Sequence, residues 1–240
     1  PGGQLVGPGA GDNAGAALGL GAREGDVVVS IGTSGTVFAV TGSPAGSDAV
    51  AGFADASGLF LPLVATLNAA RVLDSIARVL GVDHAELGRL ALSAEPGAGG
   101  LVLQPWFEGE RTPDRPDATA TLFGMTLAGT TRENLARAAI EGLLCGLADG
   151  LDAVRSVGVA ARRILLIGGA AQNPAVAAIA AQVFDVPVVV PEPGEYVARG
   201  AAVQAAWVAT GERSDWTVPL AAEPASDHRP VIRDQYRARL

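Results

Sequence analysis

The hydrophobic positions along the chain form two kinds of segment, short β-branched runs and longer runs with helical spacing. The β-branched runs predict strands, which we place at 26–32, 36–42, 57–66, 162–169 and 186–193. Apolar residues spaced three and four apart predict helices, which we place at 67–81, 83–94, 129–158, 173–185 and 195–210. Strands come first and then alternate with helices, so the order predicts an α/β fold with a mixed sheet flanked by helices.

Capping residues predict where several of these helices begin and end. Gly81 can adopt the left-handed conformation that often ends a helix. Thr130 and Glu133 have the spacing of a capping box at the start of the longest helix. Asn173 followed by Pro174 predicts the start of another. The final stretch, RDQYRARL, predicts one more short helix.

Two stretches depart from the alternation of strands and helices. Residues 100–127 open as a strand and continue as a long excursion rich in proline, glycine, arginine and aspartate. Long irregular loops inside domains are often functional. Residues 211–240 are more polar and contain several prolines. We therefore expect a lobe at 1–210 followed by a tail at 211–240, with no second hydrophobic core.

Composition excludes several classes of partner. The net charge is −8 and no basic cluster occurs, which argues against nucleic acid or an anionic membrane surface as a partner. No apolar run has the length of a membrane span, and the first residues lack the pattern of a signal peptide. The single cysteine, Cys145, excludes an internal disulfide and favours a reducing compartment, so we expect a cytoplasmic protein.

The chain contains no lysine, because all 17 basic residues are arginines. It therefore cannot form a lysine-dependent phosphate loop, a Schiff base or the strand lysine of protein kinases. A phosphate group would have to be held by backbone N–H groups, hydroxyls or arginine. His84 and His228 have no cysteine or histidine near them in sequence, so we predict no metal-ligating residue.

A glycine-rich segment, GPGAGDNAGAALGLG at 7–21, contains Asp12 in its middle. Its GAGDNA formally matches a dinucleotide fingerprint, but that motif needs a preceding strand and would place a carboxylate beside a pyrophosphate. We reject that interpretation and predict that Asp12 is the N-cap of the following helix. Either it only caps the helix, or it is also an open, ionised carboxylate that can accept a hydroxyl proton.

Two further segments are candidates for binding a nucleotide. SIGTSGT at 30–36 joins two strands and offers backbone N–H groups and three hydroxyls to an anion. The same sequence pattern is also typical of an ordinary hairpin turn that binds nothing. Gly168 and Gly169 follow a buried strand and leave room for a flat ring or a ribose. There the alternative is a plain turn in which Asn173 serves only as a helix cap.

The order of these segments resembles a known family. Gly-Asp-Asn, strand-GTSGT-strand, GERTP at 109–113, strand-GGAAQNP-helix and ARGAAVQAAW together resemble the C-terminal lobe of the FGGY-family carbohydrate kinases. GERTP and EGLLCGLADGLD are most similar to the xylulose kinases within that family. The resemblance covers roughly 1–210 and implies a ribonuclease H-like lobe of the actin/hexokinase type. The tail matches loosely, through YRARL.

The resemblance also implies roles for single residues. Asp12 would be the general base that takes the proton of a sugar hydroxyl, and Asn13 would contact the sugar. The other residues that the resemblance implies belong to the nucleotide site. Those that would bind the ATP phosphates are Gly32, Thr33 and Ser34, and those at the adenosine would be Gly168, Gly169 and Asn173. Asn68 would lie near the nucleotide. GERTP is treated as a diagnostic loop near the cleft, without catalytic residues.

The family implies ATP, Mg²⁺ and a pentulose, D-xylulose first, as the reactants. It also implies an N-terminal sugar-binding lobe with no counterpart in this chain, so we expect little kinase activity from these residues alone. A homodimer is an open possibility for the assembly. The alternatives are a kinase for another pentulose, a pentitol or a related sugar, a non-catalytic nucleotide-binding lobe of the actin-like superfamily, and a NAD-binding domain.

Overall fold

A seven-stranded mixed sheet organises the chain, and helices cover both of its faces. The computed structural model describes residues 5–240. The strands are β1 (Asp26–Ile31), β2 (Gly35–Ala39), β3 (Ala51–Ala54), β4 (Phe60–Thr66), β5 (Val102–Gln104), β6 (Thr121–Phe123), β7 (Arg163–Ile167), β8 (Val188–Pro191) and β9 (Leu220–Ala222). The helices are α1 (Asp12–Leu20), α2 (Ala70–Leu80), α3 (His84–Ser93), α4 (Arg132–Ser156), α5 (Pro174–Val183), α6 (Tyr196–Thr210) and α7 (Pro230–Arg237).

The strand order in the large sheet is β3-β4-β2-β1-β7-β8-β9, and β5 and β6 pair separately. β1 is parallel to β7 and antiparallel to β2, and β2 is antiparallel to β4. β1, β4 and β7 therefore run in the same direction. Their carboxyl ends lie at one edge of the sheet, which is where ligands bind in open α/β sheets.

Both faces of the central strands are buried, which explains why they read as continuous apolar runs. In β1, Val27 and Val29 face the core that contains α4, whereas Val28 faces the core that contains α1. α7 packs in the α4 core through Ile232 and Tyr236. Within residues 5–240, no helix combines the length and the apolar character needed to cross a membrane.

Several predicted boundaries are confirmed. β1 and β2 form the predicted hairpin, Gly81 ends α2 in the left-handed conformation, and α7 forms near the carboxyl terminus. Asn173 caps α5, since its Oδ1 accepts a hydrogen bond from the N–H of Ala175 at 3.0 Å. The capping box of α4 is wrong by one residue, because Thr131 is the cap and accepts from the N–H of Asn134.

β5 confirms the strand predicted at the start of 100–127, whereas β3, β6 and β9 were not predicted. They are three or four residues long, and β3 and β9 are exposed along their whole length. A strand at the edge of a sheet is defined by the neighbour it pairs with, and its own side chains need show no apolar alternation. The pairing of β5 with β6 thus brings the two ends of the segment 100–127 together.

Candidate active site

Asp12 is the first residue of α1, with Gly11 as the N-cap in an extended conformation. The prediction that Asp12 itself caps the helix is therefore wrong. Its Oδ1 accepts hydrogen bonds from the backbone N–H of Asn13 at 2.8 Å and from Asn13 Nδ2 at 3.1 Å. No group among residues 5–240 donates to its Oδ2, and the side chain is exposed. The carboxylate thus lies at the positive end of the helix dipole with one oxygen open.

Glycines set the position of α1 by letting it pack closely against α6. A Cβ added at Gly19 would lie 2.8 Å from the backbone nitrogen of Gly200, and closer still to the carbonyl oxygen of Tyr196. A Cβ added at Gly200 would lie 2.8 Å from the carbonyl carbon of Gly15. By contrast, Gly9 and Gly11 have open space where a side chain would be.

The turn at 32–34 connects β1 to β2 at the sheet edge described above. Gly32 donates its N–H to the carbonyl of Ser34 at 3.2 Å, which closes the turn. Thr33 and Ser34 are exposed, and within the described residues neither their hydroxyls nor their N–H groups have a partner. These groups are free to donate to an anion.

A second turn adjoins this one at the end of β7. Gly168 has φ +99°, and a Cβ there would lie 2.7 Å from the carbonyl carbon of Ile31, so only glycine fits. Gly169 is exposed and has open space at its Cβ position. Asn173 caps α5 with its oxygen and donates Nδ2 to the carbonyl of His84 at 2.7 Å, which ties α5 to α3.

An open cavity of about 760 Å³ lies between α2, α3 and the start of α5. Its walls include Leu73, Gly88, Leu92, Gly169 and Asn173. The wall is largely apolar, with few polar groups, which is the usual character of a small-molecule site.

The rim of this cavity carries a polar contact between α2 and α3. His84 Nε2 lies 2.9 Å from Asp74 Oδ1, and both side chains are about half exposed. His84 was not predicted to be a metal ligand, and no other role was predicted for it. The order of charged residues along the chain does not indicate that a side chain on α2 will contact one on α3.

Asn68 lies on the connection between β4 and α2 and contacts the GERTP loop. Its Nδ2 donates to the carbonyl of Gly109 at 2.7 Å and to Glu110 Oε2 at 3.0 Å. Its Oδ1 accepts from the N–H of Phe107 at 3.2 Å. Glu110 is buried at 4% exposure, and the sequence analysis assigned it no role.

The topology brings the predicted nucleotide-binding residues to one edge of the sheet. Turn 32–34, Asn68 and Gly168 follow the carboxyl ends of β1, β4 and β7, which run in the same direction. α1 is joined to the start of β1 by the short connection 21–25 and packs on the sheet and against α6. The exposed donors of turn 32–34 and the cavity beside Gly169 therefore lie at the same edge of the sheet.

Residues 27–209 match the C-terminal domain of the FGGY family of carbohydrate kinases. The chain is 44% identical over 215 residues to the xylulose kinase of Streptomyces rubiginosus, covering 88% of this chain and 42% of that protein. It is 38% identical over 211 residues to the xylulose kinase of Haemophilus influenzae, covering 87% and 43%. The crystal structure of xylulose kinase from Bifidobacterium adolescentis matches with a TM-score of 0.92 at 48% identity, covering 100% of this chain and 48% of that one.

The chain thus spans less than half the length of these relatives. Asp12 and Asn13 precede the residues matched to the family domain, which begin at 27.

Proposed function

Because the chain belongs to the FGGY family of carbohydrate kinases, we propose that it supplies the general base and the nucleotide site of an ATP-dependent sugar kinase. Two observations carry this proposal: turn 32–34 and the cavity beside Gly169 lie at one edge of the sheet, and the exposed Asp12 carboxylate at the start of α1 has one open oxygen. A phosphoryl transfer needs an acceptor hydroxyl, a base and bound phosphates close together.

Asp12 acts as the base in this proposal. Its Oδ2 takes the proton of the sugar hydroxyl while the hydroxyl oxygen attacks the γ-phosphorus and the bond to the β-phosphate oxygen breaks. The two hydrogen bonds from Asn13 hold Oδ1 and so fix the direction of the carboxylate. We assign the contact with the sugar to Asn13, the neighbour of Asp12 in sequence.

The nucleotide occupies the two adjoining turns. Thr33 and Ser34 donate hydrogen bonds to the phosphates, with Gly32 letting the chain turn around them. The nucleoside enters the cavity of about 760 Å³, where the missing side chain at Gly169 leaves room for it. Asn173 frames that space by joining α3 to α5. Asn68 lies near the nucleotide, on the connection behind the turn.

Mg²⁺ supplies neutralisation of phosphate charge in kinases of this kind. Within residues 5–240, no group of three or more histidine, cysteine, aspartate or glutamate side chains could hold a metal ion. We propose that Mg²⁺ is carried by the triphosphate.

The sugar we propose is a pentulose, with D-xylulose first, because both curated relatives above and the matched crystal structure are xylulose kinases. Other pentuloses and pentitols are the alternative substrates, and the experiment below compares them with D-xylulose. In this proposal an N-terminal lobe of the same enzyme completes the sugar pocket. The proposal holds for a monomer and for a homodimer of the whole enzyme. The single buried Cys145 is compatible with the reducing cytoplasm.

The proposal is tested by joining these residues to the N-terminal lobe and measuring ADP release with a panel of pentuloses and pentitols. D-xylulose should give the highest kcat/KM. Asp12→Ala should lower kcat by at least about 100-fold while changing ATP affinity less than about twofold. Asp215→Ala is the matched control, since Asp215 is an exposed aspartate paired with Arg23. Retention of most of the turnover in Asp12→Ala would remove Asp12 from the role of base.

A further inference from the structure

Glu110 of the GERTP loop is a buried carboxylate with four hydrogen-bond donors around it. Oε1 accepts from the N–H of Leu67 at 2.6 Å and from the N–H of Arg111 at 2.7 Å. Oε2 accepts from Asn68 Nδ2 at 3.0 Å and from the N–H of Asn68 at 3.4 Å. No cation pairs with Glu110 among residues 5–240, so these neutral donors alone compensate its charge.

Three of these donors belong to the connection 67–69 between β4 and α2. That connection supports the turn at 32–34 from behind, because the N–H of Ala70 donates to the carbonyl of Gly32 at 2.9 Å. Gly35, which follows the turn, pairs with Thr66 and lies so close to it that an added Cβ would overlap the Thr66 hydroxyl. A shift of the connection therefore moves the turn.

We infer that Glu110 is a positioning residue for phosphate binding: it fixes the connection 67–69, which in turn fixes the Gly32 carbonyl and the donors of turn 32–34. This inference rests on the proposed function, since it assigns the GERTP loop to the same nucleotide site. Asn68 takes part by joining the loop to the connection, and Glu110 itself touches no reactant.

The chemistry of the site requires a carboxylate at this position. A carboxylate has acceptor sites for all four N–H groups. An amide of the same shape keeps one acceptor oxygen, and its NH₂ group then points at two donors. Glu110→Gln thus leaves the side chain's volume unchanged and loosens the connection.

The experiment compares Glu110→Gln with Glu108→Gln in the enzyme joined to its N-terminal lobe. Glu108 lies on the same loop, but it is exposed and pairs with Arg71 on the surface. We expect Glu110→Gln to raise the KM for ATP about tenfold and to leave the KM for the sugar within about twofold. Glu108→Gln should change neither constant. General loss of folded enzyme would instead lower the apparent kcat and leave the KM for ATP unchanged.

Two further measurements keep the inference open to refutation. Glu110→Asp keeps the charge with a shorter reach, so its KM for ATP should lie between those of wild type and Glu110→Gln, even if Glu110→Gln folds poorly. Thr33→Val combined with Glu110→Gln should be less than additive in ATP affinity, because both act on turn 32–34.

An ATP affinity that is equal in wild type, Glu110→Gln and Glu110→Asp would overturn the inference while leaving the kinase proposal intact. A wild-type enzyme that binds no ATP at all would overturn the proposed function itself.

Discussion

Replacing Gly19 by alanine should move α1 and with it the Asp12 carboxylate, which we propose to be the base. The added Cβ would lie 2.8 Å from the nitrogen of Gly200 and closer still to the carbonyl oxygen of Tyr196, whereas ordinary contact begins at 3.4 Å, so α1 and α6 must separate by more than about 0.6 Å. Nothing on the α6 side can rotate away, because the atoms in the way belong to its backbone. Asp12 is at the other end of the same nine-residue helix and moves with it.

The expected cost follows from two opposing effects. Overpacking a tight contact costs about 1–3 kcal/mol, whereas alanine favours a helix over glycine by about 1 kcal/mol. The net loss of up to about 2 kcal/mol should lower Tm by up to roughly 8 °C in a protein of this size. A displacement of Asp12 on the order of 0.5–1 Å should lower kcat about tenfold or more.

The assay is a thermal melt followed by circular dichroism, together with kcat at saturating ATP and sugar. Gly146→Ala is the matched control, because it lies inside α4 and an added Cβ would make only an ordinary contact 3.9 Å from the Tyr236 hydroxyl. That variant should keep its kcat and gain about 0.5–1 kcal/mol of stability. If Gly19→Ala melted no lower than wild type and kept its kcat, the reasoning on the α1–α6 contact would be refuted.

Three further predictions concern the nucleotide turn, acid stability and the thiol. Thr33→Val should weaken ADP binding about three- to tenfold in titration calorimetry by removing one phosphate donor, and unchanged binding would contradict that role. A hydrogen bond from Arg155 lowers the pKa of Asp185 below its ordinary value of 3.8. The stability that this pair contributes is therefore present above that value and is lost as the pH falls through the lowered pKa. Urea unfolding at about pH 5 and about pH 3 should show a smaller loss of stability in Asp185→Asn than in wild type, and equal losses would count against the pair. Burial raises the pKa of the Cys145 thiol, so a thiol reagent should label it only after denaturant is added, and rapid labelling of the native protein would show that α4 opens.

The family and the central fold could be predicted because the sequence carries their signals locally. The runs at 26–32 and 162–169 are buried on both faces of the sheet at their centres, so residues 27–29 and 164–167 are all apolar. The predicted mixed sheet of an actin/hexokinase-type lobe and the resemblance to FGGY kinases are both confirmed. The assignments of single site residues remain predictions that the proposed experiments test.

Features that depend on distant partners could not be predicted. Glu110 looks like any charged residue in a polar loop, yet it is buried because the N–H groups of Leu67 and Asn68, more than 40 residues away, compensate it. The contact between His84 and Asp74 likewise requires that α2 and α3 lie side by side. Burial of a polar group is a property of the fold around it, and no local pattern reports it.

The glycines around Asp12 show the same limit in a single segment. In the sequence these glycines form one cluster. The need to leave space around the Asp12 carboxylate would explain every one of them equally well. In the structure only Gly9 and Gly11 have open space at the Cβ position, whereas Gly15 and Gly19 lie against α6 and Gly200, about 180 residues further along. A substitution at Gly11 should therefore act on the surroundings of Asp12, and one at Gly19 on the position of the whole helix. In one segment, access to the carboxylate and its placement thus depend on different glycines, so mutation can separate these two requirements of the proposed base.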